Sequence, residues 1–305
     1  MARTNTAEFT LKNLFRSATL LPILLHFTYT MKKTTITFLG PDGTYSHLVA
    51  TKRFAGHKML PQDGILDVCD YIARHPNAYG IVPIENSSGG TINETVDVLL
   101  DETQTIYIQE EISLHVQLAL LGHKNKNIKR LYSHFVPLEH CAPWINSNLP
   151  GVHKQECEST AAAAARAASD PDGAALCSRF LSKRFALELL EFPVESSTPN
   201  ITTFIVIASK PARLPRQRKT TLALRLPNTP GSLYRFLGNL QAENLNLSRL
   251  VSRPIRGRRQ EYAFLVDVDA DAESASVQRA LSAARVEATS LRICGSFPCH
   301  RSYQS

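Results

Sequence analysis

The stretch that decides the fold runs Thr34-Thr35-Ile36-Thr37-Phe38-Leu39-Gly40-Pro41-Asp42-Gly43-Thr44-Tyr45-Ser46-His47-Leu48-Val49-Ala50. β-Branched and apolar residues alternate to Leu39, the pattern of a strand. Gly40-Pro41-Asp42-Gly43 is turn chemistry, and residues 45–54 read as a helix. A strand that turns directly into a helix brings unbonded helix N–H groups and the hydroxyls of Thr44 and Ser46 to one point, a geometry suited to an anion.

The same unit recurs downstream. Residues 79–84 read as a strand, followed by the polar loop Glu85-Asn86-Ser87-Ser88-Gly89-Gly90 and a helix over 91–100 with Ile92, Val96, Leu99 and Leu100 on one face. A carboxylate, an amide and two hydroxyls then sit at the carboxyl end of a strand, where open α/β sheets place ligands. Strands are expected over 105–112, 114–121, 128–132, 174–177 and 204–208, and a helix over 138–145. Glu158-Ser159-Thr160 offers caps to the helix-forming run 161–168, and 185–190 reads as a helix or its end. Strands alternating with helices predict an α/β domain with mainly parallel pairing.

Pro211 and Pro215 lie within the basic cluster Lys210, Arg213, Arg216, Arg218 and Lys219, which marks 211–218 as a linker. Beyond it come a strand (220–226), a helix opened by Pro230-Gly231 and running to 240, strands over 245–252 and 262–268, a helix over 272–284 and a closing strand over 286–294. That order, βαββαβ, is a ferredoxin-like module over 219–299, and 300–305 reads as a tail.

Composition narrows the function classes. Of the 305 residues, 43% are hydrophobic and 20% charged, which fits folded domains with sizeable cores and excludes a disordered or fibrous chain. No apolar run approaches the roughly 18 residues that span a bilayer, so no membrane span is expected. The net charge of +7 is concentrated in the linker and in Arg253, Arg256, Arg258 and Arg259, without interleaved aromatics, which argues against nucleic acid. The six cysteines form no CxxC pair, and no metal site and no cofactor are expected; reduced thiols point to the cytoplasm. No dinucleotide, P-loop or nucleophile-elbow motif is present. Residues 1–30 carry a short apolar run behind basic residues without a small-x-small cleavage site. Met31 directly precedes the first strand, so 1–30 is read as an N-terminal extension ahead of a natural start.

With those residues in hand, the chain resembles the prephenate dehydratase family. Phe38 to His47 is similar to its opening motif, and Gly80-Ile81-Val82-Pro83-Ile84-Glu85-Asn86-Ser87 to its next. Tyr132-Ser133-His134, Glu158-Ser159-Thr160-Ala161 and Asn200-Ile201-Thr202 continue the series in the family's order. The second module resembles an ACT domain through Pro230-Gly231-Ser232-Leu233, the segment Leu245 to Pro254, and Gly295-Ser296-Phe297-Pro298.

The resemblance implies a two-lobed, periplasmic-binding-protein-like catalytic domain over 31–210, with its site in the cleft, followed by the ACT domain. The implied reaction is loss of water and carbon dioxide from prephenate to give phenylpyruvate. Thr202 would assist the leaving hydroxyl, with Glu85 and Asn86 orienting it. Ser46, Ser87, Ser159, Thr160, Thr203 and Phe204 would hold substrate. Gly231, Ser232, Leu233, Asn246, Ser252 and Arg253 would form a phenylalanine site in a homo-dimer or homo-tetramer. Arogenate as substrate and a non-catalytic ligand sensor are the alternatives. The departures from the family pattern are specific. Thr203 stands where the family has Arg, Phe135-Val136 where it usually has Pro-Gln, and Val251 where the ACT segment has Glu. Arg179, Lys183 or Arg184 could supply the missing charge, but each reads first as a solvated helix residue.

Overall fold

The computed structural model describes residues 34–124, 126–194, 198–211, 218–255, 257–258, 260–299 and 301–305. The expected extension 1–30, the start at Met31 and most of the linker lie outside these residues. Three sheets organise the described chain.

The first lobe is built on β1 (Thr35–Leu39), β2 (Lys58–Gln62), β3 (Tyr79–Asn86), β4 (Gly90–Thr91) and β5 (Tyr107–His115). Between them run α1 (Tyr45–Arg53), α2 (Ile65–Arg74) and α3 (Asn93–Leu100). The chain then crosses to a second lobe comprising β6 (Leu118–Gly122), β7 (Arg130–Ser133), α4 (Phe135–His140), α5 (Ala142–Asn148), β8 (His153–Glu156), α6 (Thr160–Ala168), β9 (Gly173–Cys177), α7 (Leu181–Phe185) and β10 (Glu188–Val194). It returns as β11 (Ile201–Ala208), which inserts between β3 and β5 and is antiparallel to both. The second sheet has the order β10-β6-β9-β7-β8.

Parallel pairing therefore does not dominate. β1 pairs in parallel with β2 and β3, and β7 with β8 and β9, but β11, β6 and β10 run antiparallel to their neighbours. A chain that crosses to a second lobe and comes back must reverse direction, and no local pattern records that return. Residues 185–190, expected in a helix or its end, instead leave α7 at Phe185 and enter edge strand β10, because Leu189, Glu191 and Val194 pair with β6. Strand β2 at 58–62, which carries no clear alternation, and α2, with Ile65, Val68, Cys69 and Ile72 buried on one face, are elements the local pattern did not announce.

The third sheet joins β12 (Lys219–Arg225), β13 (Leu247–Pro254), β14 (Tyr262–Val268) and β15 (Ser290–Phe297) in the order β13-β14-β12-β15. With α8 (Ser232–Ala242) and α9 (Ala275–Glu287) it is the expected βαββαβ module. Its helices cover one face through Leu222, Leu224, Phe236, Leu240, Val266, Val277 and Leu281. The other face joins the first lobe's core: Ala223, Ala263, Leu265, Cys294 and Phe297 pack with Val68, Ile72, Leu99 and Ile108. Gly295 makes that approach possible, since a Cβ there would lie 2.4 Å from the Ile108 carbonyl oxygen. Residues expected as a tail return to the first sheet, where β16 (Arg301–Gln304) runs parallel to β5 as its outermost strand.

Candidate active site

A cleft of about 440 Å³ opens between the two lobes. Two helix N-termini converge on it. Thr44 caps α1, its Oγ1 accepting from the His47 N–H (3.3 Å), and Ser159 caps α6, its Oγ accepting from the Ala162 N–H (3.0 Å). The first amides of each helix, at Tyr45 and Ser46 and at Thr160 and Ala161, have no carbonyl one turn back to bond. All four residues line the cleft, as does Glu158, whereas among the described residues no Lys or Arg does. Favourable potential for an anion therefore comes from helix dipoles and hydroxyls.

The sequence makes both helix starts local. At α1, Gly43 has φ +93°, and a Cβ there would lie 2.8 Å from Leu181 Cδ2 of the other lobe. At α6, alanines 161, 163, 164 and 167 are buried, so the helix lies close over the second sheet.

The polar centre lies where β3 and β11 run side by side. Thr202 is in register with Asn86, and Thr203 with Glu85. Asn86 Nδ2 donates to Thr202 Oγ1 (2.9 Å) and to Asn200 Oδ1 (2.7 Å). Its Oδ1 accepts from the N–H groups of Ser88 (2.9 Å) and Gly89 (2.7 Å), which fixes the amide's orientation. Because Thr202 Oγ1 accepts from Asn86, its own proton is available to a group in the cleft. Apolar walls come from Phe204, Leu118, Phe135 and Val136. At one edge, Ser88 Oγ and His140 Nδ1 are 3.0 Å apart, joining the first lobe's loop to α4. Burial holds the imidazoles of His134 and His140 below their ordinary value, leaving both neutral at pH 7.

Of the expected residues, Thr202, Asn86, Ser46, Ser159, Thr160 and Phe204 line the cleft together. Glu85, Ser87 and Thr203 do not. Alternation along the strands sends Glu85 and Thr203 to the opposite face of the sheet from Asn86 and Thr202. There Glu85 accepts from Arg249 of the third sheet. Ser87 ties β3 to the returning chain, its Oγ accepting from the Ile201 N–H (2.9 Å) and donating to the Pro199 carbonyl (3.2 Å).

The candidate replacement cations do not line the cleft, in keeping with their reading as helix-surface residues. Arg179 stacks on Phe180 and Phe192, and Lys183 and Arg184 line a separate pocket with Asp42 and His47. Asn200 and Tyr45 were not singled out as site residues. Asn200 is legible two places before Thr202 on the same strand face. Tyr45 donates from its OH to the Gln117 carbonyl (3.0 Å) where the chain crosses between lobes, a contact no local signal announces.

In the third module, Gly231 (φ +82°) precedes α8, Ser232 is buried at its start, and Leu233 packs on the module's core. Arg253 forms a two-pronged bond to Asp97 of α3 (2.6 and 2.8 Å), beside the exposed Ser252. Asn246 donates to Asp269 (2.7 Å) and lies before the opposite end of β13, so one chain does not bring all six residues together. Val251 packs into the seam with the first lobe. Among the described residues no group of three or more His, Cys, Asp or Glu side chains is arranged to hold a metal ion. The six cysteines are free thiols, and burial pushes Cys69 up to about 12 and Cys141 and Cys294 to about 11.

Two lobes joined by crossing strands, helix N-termini aimed into the cleft between them and an appended ACT-type sheet define a periplasmic-binding-protein-like catalytic domain with a C-terminal ACT module. A profile described as "Prephenate dehydratase" matches residues 36–212, and the chain belongs to that family. The bifunctional chorismate mutase/prephenate dehydratase of Aquifex aeolicus is 31% identical over 271 residues, covering 88% of this chain and 74% of the relative. A crystal structure of prephenate dehydratase from Arthrobacter aurescens in complex with L-Phe superposes with TM-score 0.77 at 27% identity, covering 87% of this chain and 90% of that one. GqqA, described as a novel type of quorum-quenching acylase, superposes with TM-score 0.76 at 28% identity over 87% and 98% of the two chains.

Proposed function

We propose that the protein converts prephenate to phenylpyruvate in the cytoplasm, as a step of phenylalanine biosynthesis. The observation that carries this reading is the Asn86–Thr202 pair at the base of the cleft, with its hydroxyl proton free to point at a ligand. In the reaction the bond from the ring to its carboxylate breaks, and that electron pair enters the ring. The bond to the ring hydroxyl breaks as the oxygen leaves, takes up a proton and becomes water; carbon dioxide is the other product. Aromatisation supplies the driving force, so the protein's work is to hold two carboxylates and assist the departing oxygen. Helix N-termini suit the first task and Thr202 the second.

Thr202→Ala is expected to lower kcat about a hundredfold or more with a small change in KM, while Thr202→Ser keeps much of the activity. Phenylpyruvate formation, followed by its absorbance in alkali, measures both. A Thr202→Ala enzyme with wild-type kcat would remove the pair from the mechanism. Acylase chemistry, the activity by which GqqA is described, calls for an activated nucleophile and an oxyanion site. Ser88 lies beside His140, but the Ser88 and Gly89 amides that could face an oxyanion already donate to Asn86.

The same proposal includes a homo-dimer or homo-tetramer formed through the ACT module, with phenylalanine as effector; the L-Phe complex of the Arthrobacter relative supports the ligand. Val251 is apolar where the family segment has Glu, and one lost charge-assisted hydrogen bond costs about 1.5–3 kcal/mol, roughly ten- to hundredfold in affinity. Calorimetric titration is therefore expected to show weak or no phenylalanine binding, and a micromolar Kd would contradict it.

A further inference from the structure

We propose that Arg249, on the ACT module, is a positioning residue for the dehydratase site and acts through Glu85; this rests on the dehydratase reading above. Arg249 leaves β13 on the face turned towards the first lobe, and its side chain is 9% exposed. Nε and Nη2 donate to Glu85 Oε2 at 3.2 and 3.0 Å, and Nη1 donates to Asp267 of its own sheet. Glu111 Oε2 lies 3.7 Å from the same guanidinium and has no hydrogen-bond partner among the described residues. Lys219 bonds the other oxygen of Glu111 (2.8 Å).

One guanidinium thus stands among three carboxylates, two from the first sheet and one from the third, and Asp267 is fully buried. Its removal leaves those carboxylates with Lys219 as their neighbouring cation. Like charges at this distance in a poorly solvated seam repel strongly. Glu85 is the most exposed of the three, with 46% of its side chain accessible, and so is the group free to swing away. The residue after it on β3 is Asn86, whose amide sets the direction of the Thr202 proton. A displacement at Glu85 is therefore a displacement of the reacting geometry, while the substrate-holding ends of α1 and α6 are untouched. Misplacement of a reacting group by about 1 Å is enough to cost roughly a hundredfold.

Thr203 sharpens the test. It is in register with Glu85 on one side and Ser113 on the other, on the face turned towards the third sheet. An arginine at 203 would bring a guanidinium to the same carboxylate from within the first lobe. The cation can in this way be moved from one module to the other.

The experiment compares full-length wild type, Arg249→Lys, Arg249→Met and the double variant Arg249→Met with Thr203→Arg. It uses prephenate turnover per folded molecule, with melting temperature as the separate measure of stability. Arg249→Met is expected to lose roughly ten- to hundredfold in kcat, with KM within about twofold. Arg249→Lys keeps most of the rate, and Thr203→Arg restores at least about tenfold in the Arg249→Met background. If Arg249→Met does not fold, the lysine and double variants carry the comparison. An unchanged kcat with only a lowered melting temperature overturns the proposal, as does a loss confined to KM or a folded double variant without recovery. Wild-type protein that makes no phenylpyruvate fails earlier and overturns the dehydratase reading along with the proposal.

Discussion

Asn86 commits all its hydrogen-bonding capacity within the site. Its carbonyl oxygen takes two backbone N–H groups, and its nitrogen serves Thr202 and Asn200. This makes the amide irreplaceable by an isostere. In Asn86→Asp the nitrogen becomes an oxygen that can only accept, so Thr202 turns its proton towards the aspartate and away from the cleft. The variant is expected to fold and to bind substrate more weakly, because a negative charge now stands in a site built for anions. Its kcat is expected to fall about a hundredfold. Steady-state kinetics check this, and an Asn86→Asp enzyme with wild-type turnover would show that the orientation of Thr202 is set elsewhere.

At the scale of elements, the second lobe is held by the turn between α6 and β9. Asp170 there accepts from the Arg130 guanidinium on β7, the Tyr132 OH (3.0 Å) and the Asp172 N–H (3.2 Å). The Arg130 guanidinium, with the Tyr132 hydroxyl and the Asp172 amide, holds the Asp170 carboxyl well below the ordinary carboxylate range. A depressed folded-state pKa stabilises above the unfolded value, near about 4, and that stability is lost as pH falls towards the folded one. Arg130 remains about a third exposed, which screens the pair. Asp170→Asn is therefore expected to cost about 1 kcal/mol at pH 7. The gap from wild type should narrow as pH drops below about 4. Thermal melts across pH 3–8 measure it, and a gap that widened in acid would have the wrong sign.

Over the whole molecule, the third sheet and the first lobe share one hydrophobic cluster, with Leu265, Cys294 and Phe297 packed among Val68, Ile72 and Leu99. Units that share a core unfold together, so the ACT module and the first lobe are expected to melt in one transition. Gly295 is the sensitive point because it has backbone, not a movable side chain, against it. Gly295→Val should separate the two surfaces and cost about 3 kcal/mol or more. Calorimetry tests both statements; a Gly295→Val protein as stable as wild type would mean that the seam can open without loss. The same seam carries Arg249 and Arg253, so a rearrangement of the ACT sheet reaches β3 and α3 through charged contacts as well as packing.

The residues of this sequence determined the units. Alternation to Leu39, turn chemistry at Gly40 to Gly43 and the Ser159 cap are local signals, and the elements they imply are present. The βαββαβ order likewise marked the third sheet. Placement of Thr202 and Asn200 on one strand face follows from a period of two. What only the tertiary structure decided is which units meet. β11 inserts between β3 and β5 from the far side of a second lobe, and β16 returns as the outermost strand of the first sheet, because those edges were open for pairing. The face of β3 that lines the cleft depends on where the second lobe lies, so Glu85 and Asn86, adjacent at the end of β3, part to opposite sides. The cation beside Glu85 comes from Arg249, 164 residues further along the chain. Charge neutralisation acts through space, and a sequence records spacing only along the backbone.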